Sequence, residues 1–377
     1  MTANICVIGG GAAGCVAALA AARKGATVIL VEKNEFLGGT ARSAMHAYLC
    51  GYFANDPVHP FTFLNNGIAE EFARGWIEKA VSDPCVRVGR VELLAIESNL
   101  FWNDLEKAVT SHPNIRVLSG HTCVAATRDE HNVSAVTLFY DSKQDAVSAD
   151  AFVDASGDAV LAEILGTTQH DDVSDLQQTA VCMALRGCEQ WNEDDALAFT
   201  FSVHKAAESG ELPRSSRFAN AAFERYGKRL IVKYSAIALD ANVHAAIVRI
   251  LASRPNAKSV RIEKVSPLLY RSGPRGIGEY TITADDVSNA AVFPDAVAYA
   301  GWPMEFWHRE HGLRFKYALL GKAVQIPARA LCLKTFNNVF LAGRAISADA
   351  HAASALRVCA TAFATGEQAA YLALGCL

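Results

Sequence analysis

Residues 3–32 read ANICVIGGGAAGCVAALAAARKGATVILVE. ANICVI at 3–8 is a short apolar run, as a buried strand is, and it ends in Gly9-Gly10-Gly11. Residues 12–24 are Ala-rich and favour a helix, which Gly25 stops. ATVILV at 26–31 is rich in β-branched residues and ends at Glu32. Strand, glycine turn, helix, strand and acid make a βαβ unit. Within it, Gly9-x-Gly11-x-x-Gly14 has dinucleotide-binding spacing: one glycine permits a tight turn, one lets backbone approach a pyrophosphate, and one lets helix and strand touch. The helix N-terminus turns free N–H groups and the positive dipole end toward that pyrophosphate. Glu32, about 20 residues on, is placed to accept hydrogen bonds from ribose hydroxyls.

The rest of the 377-residue chain is compatible with an enzyme of this kind. It is 51% hydrophobic and 20% charged, ordinary for a soluble globular protein and wrong for a disordered or fibrous one. Lys+Arg 35 against Asp+Glu 39 gives a net charge of −4, so no overall basic field exists to attract nucleic acid or anionic lipid. The ten cysteines are scattered without a CxxC pair and read as small buried apolar residues of a reducing cytoplasm. The N-terminal apolar run has its first cation, Arg23, behind it, whereas a signal peptide puts positive charge first. No stretch approaches the ~20 apolar residues of a membrane span. A cytoplasmic location is expected.

Along the chain, helices are expected at 67–81 and 99–110, and strands at 115–118, 121–127, 133–140 and 146–153. These strands form a small antiparallel insert leading into AFVDAS at 151–156. Residues 166–325 are more polar, carry Pro213, Pro255, Pro267 and Pro274 and most of the tryptophans, and read as a second, substrate-facing domain. From Val324 the α/β pattern returns, with a strand at 338–341, a turn AGR at 342–344 and a helix at about 352–374.

Three later segments extend the dinucleotide reading. Gly38-Gly39 follows the ribose acid and suits a longer ligand, Asp154-Ala155-Ser156-Gly157-Asp158 ends an apolar strand, and NNVFLAGRAISADAHAASALRV supplies strand, glycine turn and helix start. With QTAVCMALR ending at Arg186, GEYTITADDV at 278–287, IPARAL at 326–331 and AGRAIS at 342–347, the chain resembles FAD-dependent oxidoreductases of the glutathione-reductase-like fold. The nearest resemblance is to a sparsely characterised bacterial branch related to fumarate reductase flavoproteins. It runs over nearly the whole chain and implies an α/β fold: a Rossmann-like FAD-binding domain of residues 1–165 and 326–377, three-layered with a small antiparallel β insert, and an inserted α+β substrate domain of residues 166–325.

The same resemblance implies how FAD is held. Gly9, Gly11 and Gly14, with Ala13 between, would hold the pyrophosphate; Glu32, with Lys33 beside it, would hold the adenosine ribose. Gly39 and Thr40 would approach the phosphates and the flavin edge, and Val124 would contact adenine through its backbone. Gly157 and Asp158, flanked by Gly343 and Arg344, would lie by the ribityl-pyrophosphate region. The helix beginning near Ala352–Ser354 would point its positive end at the flavin pyrimidine ring. Fumarate reductase relatives can attach FAD to a histidine near the glycine pair; here Thr40, Ala41, Arg42 and Ser43 occupy that stretch, so non-covalent FAD is expected. Ala328 stands where the family's IP-x-R element commonly has tyrosine. GPRGIG at 273–278 lacks the spacing of a second nucleotide site, which argues against a dedicated NAD(P)H domain.

Flavin chemistry needs an anchor for the substrate and a route for its proton. Arg357 is the candidate for a substrate anion, with a salt bridge as the plain alternative, and His351 for a proton shuttle, with helix capping as the alternative. His46 follows the GGT segment and is a further candidate. Arg271 and Arg275 form a cationic loop able to clamp an acid, unless they serve a structural ion pair with Glu279 or Asp285. His308-Arg-Glu-His311 lacks a third ligand, and no metal is expected. The reading is an FAD-dependent dehydrogenase or reductase. It would transfer hydride between flavin N5 and a small, carboxylate-bearing substrate, with an external electron donor or acceptor and a possible homo-oligomeric state. Two alternatives stand beside it: a flavin monooxygenase needing an external reductant, and a non-catalytic flavoprotein subunit of a redox complex.

Overall fold

The computed structural model describes residues 1–377 apart from 189, 225–228, 255–256, 258, 309–310, 320 and 376–377. Its central sheet grows from the first strand, Thr2–Ile8, which pairs in parallel with Val28–Val31 on one side and Lys143–Asp154 on the other. Ile115–Leu118 adds in parallel beyond Val28–Val31. The VILV run is buried at every position, the habit of a parallel strand covered on both faces. Lys143–Asp154 spans 12 residues and serves two neighbours. Its first half runs antiparallel to Val133–Tyr140, while Phe152–Asp154 pairs in parallel with Val339–Leu341. Thr122–Arg128 closes that edge. A late strand thus completes a sheet begun at the N-terminus.

Helix Ala12–Arg23 is buried from Ala13 to Ala22 because the sheet lies on one side and helix Cys359–Ala373 on the other. Only small residues allow that approach: a Cβ on Gly366 would sit 2.2 Å from the Ala13 carbonyl oxygen. The C-terminal helix expected at about 352–374 is in fact two, Ala350–Leu356 and Cys359–Ala373. Composition is helix-favouring right across, so the break is tertiary in origin. Val358 takes extended backbone to cap the second helix, and its side chain lies where the chain passes at Gly51 (φ +84°); a Cβ there would be 2.6 Å from Val358 Cγ2.

A second sheet is wholly antiparallel, in the order Asn220–Phe223, Leu230–Ser235, Ala180–Arg186, Arg261–Val265. Helices Glu193–Glu208 and Ala241–Ala252 cover one face through Phe199, Val203, Val243 and Ile247. The other face presents Ala180, Cys182, Ala184 and Ile231 to Ala44 and Met45, just beyond the second glycine pair. Between 282 and 326, Ile282, Val287, Ala298, Ala300, Val324 and Ile326 share a core with Ile8, Phe152 and Leu341 of the central sheet. The whole is a mixed α/β fold. Among the described residues no helix is long and apolar enough to cross a membrane. The described cysteines are free thiols, mostly buried, and Cys376 lies outside the described residues.

Candidate functional site

The first turn is built by backbone contact. Gly9 has φ +100°, and a Cβ on it would lie 2.5 Å from the Ala155 carbonyl oxygen; one on Gly14 would lie 1.8 Å from that of Gly9. Gly11 differs, since a Cβ there meets nothing within 4 Å and its bare backbone faces open space. No side chain caps helix Ala12–Arg23, so its first N–H groups also stay open. The second glycine pair closes on this turn: Gly38 bridges Gly11, and Gly39 begins a short helix, Gly39–Ser43, that carries exposed Thr40. Glu32 is buried; its Oε2 accepts the Gly10 N–H at 2.7 Å and its Oε1 the Asn34 N–H at 2.8 Å.

The Asp154-to-Asp158 turn abuts the same place. Asp154 is fully buried and accepts from Ser156 Oγ at 2.6 Å, Leu161 N–H at 2.8 Å and Ala162 N–H at 3.1 Å. Burial pushes its carboxyl upward while these donors pull the other way. Asp158 pairs with Arg344 at 2.5 Å and with Lys33 at 3.8 Å, and Arg344 lies along Gly157. Gly343 (φ +65°) packs on Ala13 and donates its N–H to Thr365 Oγ1 at 3.0 Å. Val124 is the extra residue of a β-bulge and is 44% exposed, which leaves its backbone out of the ladder register. Gly9, Gly11, Ala13, Gly14, Glu32, Lys33, Gly39, Gly157, Asp158, Gly343 and Arg344 are therefore gathered around one cradle.

Beyond Met45 a second set of groups converges. Trp307 stacks under two cations, with Arg271 4.3 Å and Lys233 5.2 Å from its ring centre. Its indole N–H and that of Trp302 both donate to Glu305, at 2.6 and 2.9 Å. Arg357, at the break between the two last helices, donates to the Glu305 carbonyl at 3.2 Å, and its buried Nε has no partner. Arg271 donates to the Gln178 carbonyl. None of Lys233, Arg271 and Arg357 is ion-paired directly with a carboxylate among the described residues. Three basic side chains thus face one nearby carboxylate, Glu305. Burial, and then repulsion from Arg357, lowers Arg271 to about 9; burial and Arg271 lower Lys233. His46 faces the same group, and burial followed by the Lys233 charge lowers it to about 4, so it is neutral at pH 7. Glu305 stays below the usual carboxylate range: burial raises it, but Arg357, Lys233 and the two indole donors outweigh that.

Of the sequence candidates, His46, Arg271 and Arg357 come together here, and Lys233, Glu305, Trp302 and Trp307 were missed. A lysine inside the apolar strand LIVKYS was the available signal. Arg275 does not join. It is buried in an ion pair with Asp171, not Glu279 or Asp285, and also donates to the Ala348 carbonyl at 2.6 Å. His351 lies inside helix Ala350–Leu356, exposed, with its ring 4.6 Å from Phe306; Asp349 is the cap. Ser354 is no helix start: its hydroxyl donates to the His351 carbonyl at 2.6 Å within that helix. His308 and His311 stack on each other at 4.6 Å, Glu310 lies outside the described residues, and no metal-holding cluster occurs among the described ones.

The model of one protein family, described as FAD dependent oxidoreductase, matches residues 4–377. A geranylgeranyl bacteriochlorophyll reductase-like protein from Thermoplasma acidophilum has a similar fold, with a TM-score of 0.51 and 12% identity over 98% of this chain and 77% of that one. AlpK is similar at a TM-score of 0.52 and 14% identity, over 99% of this chain and 62% of its own. A comparison with curated proteins finds no match.

Proposed function

We propose a specific reaction on one premise: the chain belongs to the FAD dependent oxidoreductase family. The residues present fit the cofactor. The Cβ-excluding turn, the open helix N-terminus and the buried Glu32 suit a pyrophosphate and a ribose. In this reading Gly9, Gly11, Ala13, Gly14, Gly39 and Thr40 line the phosphates. Glu32, Lys33 and Val124 serve the adenosine end, and Gly157, Asp158, Gly343 and Arg344 the ribityl region, all without a covalent link. FAD, when bound, supplies reversible hydride chemistry at N5. Residues 1–165 and 326–377 act as the cofactor domain and 166–325 as the substrate domain.

The substrate is a small organic molecule bearing a carboxylate, and one observation carries that: Lys233, Arg271 and Arg357 meet around the single carboxylate of Glu305. Buried cations without a paired counter-charge are costly, and an anion relieves them. Arg271 and Arg357 bind the carboxylate, Lys233 reinforces it, and neutral His46 accepts or returns a proton. An external electron donor or acceptor completes the cycle. The test is the visible spectrum of the oxygen-free holoprotein with 2-hydroxy, saturated or unsaturated carboxylates and their amides. Carboxylates should change the flavin band and amides should not, and Arg357→Ala should raise the half-saturating concentration roughly tenfold to a hundredfold. Equal response to acid and amide, or an unaltered Arg357→Ala profile, would refute the assignment. Rapid bleaching by NADH alone would redirect it toward a reductant-driven monooxygenase.

A further inference from the structure

A cavity of about 750 Å³ opens beside the cation cluster and shares a wall with it. The shared residues are Gln177 and Gln178. Gln177 Oε1 accepts from the Trp307 N–H at 3.2 Å and lies 3.5 Å from the Arg357 guanidinium, while the Gln178 carbonyl accepts from Arg271; both glutamines also line the cavity. The cavity sits at the end of strand Leu230–Ser235, on which Lys233 and Ser235 share a face because strand side chains alternate. Its volume falls among those of sites for drug-sized ligands, about 300–1,000 Å³.

The lining is more apolar than polar. Ala236, Ile237, Leu268 and Tyr270 supply the apolar part, with Ile237 86% exposed, and Arg214 and Arg217 stand on the wall as well. One polar group in the wall stands out. Ser235 is buried, and its hydroxyl has no hydrogen-bond partner. A buried hydroxyl left unpaired is costly, so it marks a place where a bound molecule supplies the missing partner.

We propose that the substrate is an amphipathic carboxylate. Its head lies against Lys233, Arg271 and Arg357, and an apolar body of about ten carbons or more runs past Gln177–Gln178 into this cavity, with a polar atom within reach of Ser235. The inference rests on the carboxylate reading above and adds to it the length and apolarity of the substrate. A cluster serving only a short acid would need no cavity on its far side, and a purely apolar ligand would leave the cations uncompensated.

Calorimetric titration of the full-length holoprotein with butanoate, hexanoate, octanoate and decanoate tests it, with 1-decanol as the uncharged control. Each buried methylene should tighten binding roughly threefold, so decanoate should bind at least a hundredfold more tightly than butanoate. Leu268→Glu and Ala236→Trp, which charge or fill the cavity, should each bring decanoate down to the affinity of butanoate. Two variants guard against one that fails to fold, which circular dichroism would reveal. If butanoate binds and all four acids agree within threefold, or if the length dependence survives both substitutions, the cavity is not part of the substrate site and only the short-acid reading stands. If decanol binds and no acid does, the head-group assignment fails and this inference fails with it.

Discussion

Around the first glycine turn, backbone packs on backbone: the open positions of Gly9, Gly14 and Gly366 are filled by carbonyls of the chain itself. Around Trp307, two cations lie over one indole and a third, Arg357, stands by the carboxylate that both indoles hold, with a histidine held neutral beside them. The first region is complete in its packing, with only the Gly11 backbone and the uncapped helix N-terminus left open, and its residues are chosen by what cannot fit. The second is incomplete, because its charges repel and are left for something else to satisfy. Substitutions should therefore act with opposite sign in the two places, since functional sites hold strain that the rest of the fold tolerates.

The largest effect belongs to the glycine cradle. Gly14→Ala puts a methyl 1.8 Å from a backbone oxygen that cannot rotate away. It should lower stability by about 3 kcal/mol or more, and the purified protein should carry little FAD. Thermal unfolding and the ratio of flavin to protein absorbance check this. A variant as stable and as yellow as wild type would show that the turn relaxes easily and would erase the contrast.

Next comes His46, where the contrast depends on pH. Its folded value, about 4, lies below the usual one, because burial and the Lys233 charge oppose protonation. Between the usual histidine value and about 4 the unfolded chain therefore binds more protons than the folded one, and stability falls as pH drops through that window. Relative to His46→Gln, wild type should lose about 3 kcal/mol between pH 7 and pH 4. Urea unfolding at both pH values measures it; parallel losses would mean that the ring is not held neutral by this cluster.

Much of the cradle was legible in the sequence, and little of the cluster was. Gly9, Gly14 and Glu32 lie on two successive strands and the turns that follow them, so local spacing encodes their meeting, while Asp154 joins them from a third strand much later in the chain. Lys233, Arg271, Trp307 and Arg357 come from four distant segments, and only folding reveals that they share a space. Arg275 shows the reverse error: next to Arg271 in an arginine-glycine loop, it looks equivalent, yet Asp171 occupies it. The break before Cys359 was invisible because alanine-rich sequence favours helix on both sides, and the interruption that turns Arg357 toward Glu305 depends on contact with the segment at Gly51.

Within the cluster, Lys233→Met keeps a side chain of similar length and removes the ammonium that lies over Trp307 close to Arg271. We expect the ligand-free protein to gain about 1 kcal/mol, and carboxylate binding to weaken. Chemical denaturation with and without a bound carboxylate separates the two effects. A loss of stability in the free protein would mean that Lys233 is satisfied there, and the cluster would no longer count as incomplete.

The smallest effect closes the comparison on a surface ion pair at the far end of the cradle's helix. Arg23, at the end of the first helix, holds Glu71 at 2.6 Å, and both side chains are substantially exposed. Water screens such a pair and its side chains surrender entropy to form it, so Glu71→Gln should cost no more than about 0.5 kcal/mol. Equilibrium unfolding at low and at high salt checks it, since the small loss should shrink further at high salt. A loss approaching that of Gly14→Ala would show that paired charge also supports the cradle. The difference between the regions would then lie in whether charges are paired rather than in packing against electrostatics.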